Sequence, residues 1–82
     1  MLDAMEHHKD VAGVQQNGCV ALWNLAANDD NRVAIAEAGG VRAVVEAMER
    51  HKDVAGVQQY GCGALRCFAA NGKKNIYIES IR

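Results

Sequence analysis

Three histidines and three cysteines are the side chains of this sequence best suited to hold a metal ion. They are His7, His8, His51, Cys19, Cys62 and Cys67. A structural zinc site needs four such ligands that converge tetrahedrally. Cys62 and Cys67 are five residues apart, which places them on different faces of a helix. The histidines lie at the other end of the same segments. The spacing therefore argues against zinc, and we expect no metal and no cofactor.

Covalent catalysis needs a nucleophile with a base beside it. Ser80 is the only serine, close to the end of the chain. The glycines form a pair at Gly39-Gly40 or lie inside helical patterns, so no glycine-rich loop could cradle a phosphate. The acidic residues are scattered and show no catalytic pairing. We expect a protein that is not an enzyme.

The composition argues against nucleic acids and membranes as partners. The formal net charge is −1, so no basic surplus favours a nucleic acid. The longest apolar runs are a few residues, far short of a membrane span. An odd cysteine count does not predict a disulfide framework. We expect free, largely buried thiols in a reducing compartment, the cytoplasm or alternatively the nucleus.

A nine-residue string, HKDVAGVQQ, occurs at residues 8–16 and again at 51–59. When the chain is shifted by 43 residues, 20 of the 39 aligned pairs are identical. The chain is therefore nearly two copies of one 43-residue unit. A period of about 40–47 residues is typical of armadillo and HEAT repeats, which are built from helices.

Each copy shows helical periodicity. The residues Val41, Val44, Val45 and Met48 form one apolar stripe, and so do Val57, Gly61, Ala64, Leu65 and Phe68. The first-copy counterparts of the second stripe are Val14, Gly18, Ala21, Leu22 and Leu25. We expect Leu22 and Leu65 to be equivalent core positions. The glycines inside these stripes should let helices approach closely, and we predict no sheet.

Breaks between the stripes give the helix order. Gly39-Gly40 should end one helix, because glycine accepts the left-handed conformation found there. Asp29 or Asp30, and then Asp53, are suited to cap the helices that follow them. The predicted segments are a partial helix 2 (1–9), helix 3 (10–28), helix 1 (30–39), helix 2 (40–51), helix 3 (53–71) and helix 1 (73–82).

The order of short, medium and long helices resembles the armadillo repeat. The resemblance is carried by NRVAIAEAGGV (31–41), VVEAM (44–48), and the related stretches DVAGVQQNGCVALWNLAAN (10–28) and DVAGVQQYGCGALRCFAAN (53–71). HEAT repeats usually lack the glycine pair. The resemblance implies an all-α fold, an armadillo-type α-solenoid fragment of just under two repeats. We expect either a slice of a natural array or a protein designed or reconstructed from one repeat.

Armadillo proteins commonly bind an extended peptide along helix 3, through an asparagine with a tryptophan one turn earlier. The asparagine position corresponds to Asn24 and Cys67, and the tryptophan position to Val20 and Gly63. The peptide-groove candidates are Gln16, Val20, Trp23, Asn24, Gln59, Arg66 and Cys67. Because most of the motif is missing, peptide recognition is the alternative function. Trp23 is either a surface anchor or a packing residue.

The leading hypothesis is a non-catalytic scaffold that presents surfaces to other proteins, with another copy of itself as the most obvious partner. About three repeats are usually needed to bury the core of such an array. The end residues that would self-associate are Met1, Leu2, Met5, Ile76, Tyr77, Ile78 and Ile81. We favour a dimer that exchanges terminal helices, with a ring or a fibre as the alternatives.

Overall fold

The computed structural model describes residues 1–69, and within them all regular structure is helical. The helices are α1 (Leu2–His7), α2 (Ala12–Leu25), α3 (Asp29–Glu37), α4 (Gly40–Arg50) and α5 (Ala55–Ala69). The all-α class is as expected. The predicted segment 73–82 lies outside the described residues. In the described part of the chain, no helix has the length and apolar character needed to cross a membrane.

The repeated string forms the corner between two helices in both copies. The Val11 amide donates to the His8 carbonyl, and the Val54 amide makes the same bond to His51. Two helix pairs result, α1 with α2 and α4 with α5, and α3 connects them. The pairs lie side by side, with α5 packed mainly on α2 and then on α4.

A glutamine closes each corner. Nε2 of Gln15 donates to the carbonyl oxygens of Met5 and His8, both at 2.9 Å. Nε2 of Gln58 donates to the carbonyl oxygens of Met48 at 2.8 Å and of His51 at 3.0 Å. The last carbonyls of a helix have no partner within that helix. Each glutamine therefore caps the C-terminal end of the helix that precedes it.

Glycine allows the two helices of each pair to approach closely, as the sequence predicts. A Cβ on Gly18 would lie 2.6 Å from Cγ of Met5. A Cβ on Gly61 would lie 2.7 Å from both Cγ and Sδ of Met48. The methionine of the first helix fills the same space in both copies, so the two pairs are packed alike.

The turn before α3 differs from the prediction. Asn28, rather than Asp29 or Asp30, is the N-cap, and its side-chain oxygen accepts from the Asn31 amide at 3.0 Å. Asp29 instead forms an ion pair with the buried Arg32. Nη1 of Arg32 donates to the carbonyl of Ala26 at 2.8 Å, beyond the end of α2. Arginine, not an aspartate cap, therefore joins α2 to α3.

The aspartates of the corners do not cap helices. Helix α2 begins at Ala12 with Val11 as its N-cap and no side-chain cap, so the prediction of a start at Asp10 was two residues early. Helix α5 likewise begins at Ala55, two residues after Asp53. Gly39 does make the predicted break, with a φ of 95° in the left-handed region.

The core joins both copies. It contains the buried residues Met5, Cys19, Leu22, Val44, Ala47, Val57 and Ala64. Helix α5 buries the predicted face, namely Val57, Gly61, Ala64 and Phe68, whereas Leu65 is only half-buried.

Helix α2 buries only part of the predicted face: Gly18 and Leu22 are buried as expected, but Val14, Ala21 and Leu25 are not. Gln15, Gly18, Cys19 and Leu22 are buried, whereas Leu25 is 39 % exposed. The reason is that α5 packs on one side of α2. The side that carries Val14, Ala21 and Leu25, the counterparts of buried α5 residues, has no such neighbour among the described helices. Leu22 and Leu65 are therefore not equivalent.

Candidate interaction surfaces

The contacts between α2 and α5 set the geometry of every candidate surface. A Cβ on Gly56 would meet the side-chain amide of Gln16. Seven residues further along both helices, a Cβ on Gly63 would meet the ring of Trp23. Because the contacts advance in the same direction along both helices, α2 and α5 run parallel. The second helix pair therefore lies beside the first in the same orientation.

The contact between α2 and α5, which joins the two helix pairs, is here called the joint. The peptide-groove candidates are divided between this joint and the protein surface. Gln16, Val20, Trp23 and Cys67 are half-buried, and Asn24, Gln59 and Arg66 are exposed. The side chains of Gln16 and Trp23, which belong to α2, pack against α5. Asn24 remains exposed on α2, and its counterpart Cys67 lies half-buried on α5.

Trp23 packs against the neighbouring helix pair. It adjoins the core cluster, and its ring lies near that of Tyr60, with ring centroids 6.2 Å apart and planes inclined at 53°. A tilted aromatic pair at this separation is favourable beyond its buried area. Packing, rather than the anchoring of a partner, accounts for the position of Trp23.

Charged and polar contacts join the two corners at one end of the joint. Nη1 of Arg50 donates to Oδ1 of Asp10 at 2.8 Å. The ring Nε2 of His51 donates to the carbonyl of Lys9 at 2.7 Å. The Lys9 ammonium lies 3.9 Å from a carboxylate oxygen of Glu46. The two ion pairs are exposed and contribute little energy individually, and all three contacts join the first corner to the second helix pair.

The first helix pair carries an open groove, here called the head groove, with a volume of about 260 Å³. It is lined by Met1, Ala4, Met5, Val14, Asn17 and Gly18. One repeat later the same positions are Val44, Ala47, Met48, Val57, Tyr60 and Gly61. Met1 is 47 % exposed, whereas its counterpart Val44 is fully buried. The first helix pair covers the second groove and leaves its own open.

The second helix pair carries the opposite surface, here called the tail face. It consists of Gln59, Cys62, Leu65 and Arg66 on α5, of which only Leu65 is half-buried and the rest are exposed. Their counterparts on α2 are Gln16, Cys19, Leu22 and Trp23, which lie in the joint. Three of these four positions keep the same residue type, namely glutamine, cysteine and leucine.

The thiols were expected to be largely buried, but only one of the three cysteines is buried. Cys19 is buried, Cys67 is half-buried and Cys62 is exposed. Burial raises the pKa of the Cys19 thiol to about 11. Within residues 1–69, no group of three or more histidine, cysteine or acidic side chains is placed to hold a metal ion.

The self-association candidates lie in different environments. Met1 is exposed, Leu2 is half-buried beside the core, and Met5 is 2 % exposed and packed on Gly18. Met5 therefore forms the floor of the head groove rather than a free end. Ile76, Tyr77, Ile78 and Ile81 lie outside the described residues.

Sequence reasoning missed the polar residues that fix the helix pairs. Gln15, Gln58 and Arg32 cap carbonyls, and Arg50 with Asp10 joins the corners. A signal existed for the glutamines, since both copies keep a glutamine seven residues after a histidine, off the apolar stripe. Arg50 stands where the first copy has His7, so the repeat itself hides its role.

The fold and surfaces define an all-α protein of two helix pairs that lie side by side in the same orientation. Comparison of the chain with family models, with curated proteins and with solved structures gave no match. The armadillo resemblance rests on the quoted residues and on the order of the helices.

Proposed function

We propose that the chain is a non-catalytic repeat module of the armadillo solenoid type that presents helix surfaces to other proteins. Its first partner in this proposal is another copy of itself. The supporting observation is that repeat-equivalent residues differ in burial according to whether a neighbouring helix pair lies against them. Met1 and Val44 are one such pair, and Cys62 and Cys19 are another.

The internal packing supports an array that can be extended. The same glutamine caps and the same glycine–methionine contacts occur in both helix pairs. In a solenoid each unit contacts only its neighbours, so a unit at the end leaves one apolar face uncovered. Such faces are expected to bind protein rather than a small molecule.

The experiment is the mass of the 82-residue chain in solution, measured by light scattering across a range of concentrations. We expect the mass to rise with concentration above that of the 8.8 kDa monomer. A folded monomer at every concentration would remove self-association from the proposal and leave only other proteins as partners.

Peptide recognition is the second candidate function. The observation that favours it is the exposure of Asn24, Gln59 and Arg66, whose amides and guanidinium can bond an extended main chain. Its test is fluorescence anisotropy with a labelled lysine-rich peptide and a labelled acidic peptide. Saturable binding that Asn24→Ala abolishes would favour this candidate over the scaffold.

A further inference from the structure

The joint between the two helix pairs supplies a template for the contact between two chains. Within the chain, the α2 residues Gln16, Cys19, Leu22 and Trp23 lie against the second helix pair. The tail face presents the same four positions one repeat later, and the head groove presents the surface that they would cover. The two open surfaces are therefore the two halves of a joint that the chain already forms once.

We propose, building on the proposed function, that the tail face of one copy docks into the head groove of another in the register of the internal joint. The Cys62 and Leu65 side chains would then take the places that Cys19 and Leu22 have within the chain. Cys19 and Leu22 are fully buried in the internal joint. The contact is head-to-tail, so chains add one after another unless the assembly closes into a ring.

The helix surfaces are compatible with this register. A Cβ on Gly56 would meet Gln16, whereas a Cβ on its counterpart Gly13 meets nothing within 4 Å. The place of Gln16 beside that glycine is therefore vacant in the first copy, and Gln59 is the side chain that would fill it. In the contact between copies, Val20 of the first helix pair stands at the position that Gly63 has in the internal joint. The side chain opposite it would be the flexible Arg66, which stands at the position of the rigid indole of Trp23.

The charges at the corner have the correct signs. Within the chain, Arg50 pairs with Asp10, and Lys9 lies near Glu46. Between copies, the corresponding residues are His7 of one chain with Asp53 of the other, and Asp3 with Lys52. All four side chains are exposed. Nδ1 of His7 donates to the Asp3 carbonyl at 2.8 Å, so Nε2 is the ring atom that would meet Asp53 of a second copy. Two residues have changed: Arg50 corresponds to His7, and Glu46 corresponds to the shorter acidic residue Asp3.

Two blocking variants and their mixture test the joint. Gly13→Arg places a bulky side chain in the head groove region, where space is open in the monomer. Cys62→Arg does the same on the exposed tail face. Each variant keeps one intact surface. We expect each to remain monomeric where the unmodified chain associates, and an equimolar mixture to form a 1:1 dimer and nothing larger.

The matched control is Ala34→Arg, which adds the same charge at an exposed position on α3. It should associate as the unmodified chain does. Circular dichroism confirms that each variant is folded. Association of either blocked variant alone at unmodified strength, or a mixture that stays monomeric, would overturn the joint.

The corner charges provide an independent test of register. His7→Arg recreates the internal arginine–aspartate pair and should raise the association constant up to about five-fold. Adding Asp53→Arg should reverse that gain, and the swapped pair His7→Glu with Asp53→Arg should recover it. If all three associate equally, the register is wrong.

The outcomes separate this inference from the proposed function. If the unmodified chain is monomeric at all concentrations, self-association itself fails. If the chain associates but Cys62→Arg has no effect and Ile76→Glu with Ile81→Glu abolishes association, only the joint fails. The occupant of the head groove would then be residues 70–82 of another copy.

Discussion

The ring of Trp23 occupies the space in which a side chain on Gly63 would lie. A Cβ built on Gly63 would be 2.5 Å from Cε3 and 2.7 Å from Cη2 of the indole. Both residues lie in the joint between the helix pairs, and Tyr60 holds the ring from the side. The packing of α5 on α2 at this point thus depends on a residue without a side chain.

Gly63→Ala should therefore destabilise the protein. Overpacking against a rigid ring costs about 1–3 kcal/mol. Alanine in a helix interior recovers roughly 0.5–1 kcal/mol relative to glycine. We expect a net loss in the free energy of unfolding, measured by urea denaturation.

Gly13→Ala is the matched control for that experiment. Gly13 is also helical, but nothing lies within 4 Å of its Cβ position. This variant should be as stable as the unmodified chain or slightly more stable. Equal effects of the two substitutions would show that helix propensity, not the joint, governs both.

Gln15→Ala should destabilise the first corner. The buried amide of Gln15 is the side-chain donor to two carbonyls at the end of α1. The His8 carbonyl keeps the Val11 amide as a donor, but the Met5 carbonyl loses its buried side-chain donor, which costs about 1–3 kcal/mol. Gln58→Ala should show a similar loss at the second corner. Gln59→Ala changes an exposed neighbour and should have little effect on the urea midpoint.

Leu22→Ala and Leu65→Ala should differ, although the two residues occupy the same repeat position. Leu22 is fully buried, so truncation should cost about 2–5 kcal/mol. Leu65 is half-buried, so Leu65→Ala should lower the free energy of unfolding by only roughly 1–2 kcal/mol, because less buried apolar area is lost. Thermal melting at a concentration where the chain is monomeric measures both. Equal losses would mean that both positions are covered.

The sequence alone predicted the all-α class and the positions of α3 and α4 closely, whereas the helix starts after both corners were placed two residues early. Apolar spacing located α4 and the face of α5, and the glycine pair located the turn at Gly39. These features depend on residues close together in the chain, which a periodic pattern reports directly.

The face of α2 could not be predicted in the same way. Two nearly identical stretches were expected to bury identical positions, but burial also depends on the neighbouring element. Leu25 is exposed although its counterpart Phe68 is buried. The polar caps were missed for a related reason. Gln15 contacts a carbonyl ten residues earlier, across a corner whose geometry no propensity describes.

The thiols of Cys19 and Cys62 should differ in reactivity. Cys19 and Cys62 are repeat equivalents, but Cys19 is buried in the joint and burial raises the pKa of its thiol to about 11. The thiolate is the reactive form, and access also limits the reaction. In the folded monomer at pH 8, iodoacetamide should modify Cys62 at least about ten-fold faster than Cys19.

Mass spectrometry of proteolytic fragments assigns the modified cysteine. In guanidinium chloride, where the joint is lost, the two rates should become similar. The raised pKa also gives the sign of a stability change. The folded state retains the Cys19 proton more strongly than the unfolded state. The contribution of Cys19 to the free energy of unfolding is therefore fully present below pH 9 and is lost as the pH rises towards 11. Rapid labelling of Cys19 in the folded chain would show that the second helix pair does not cover it.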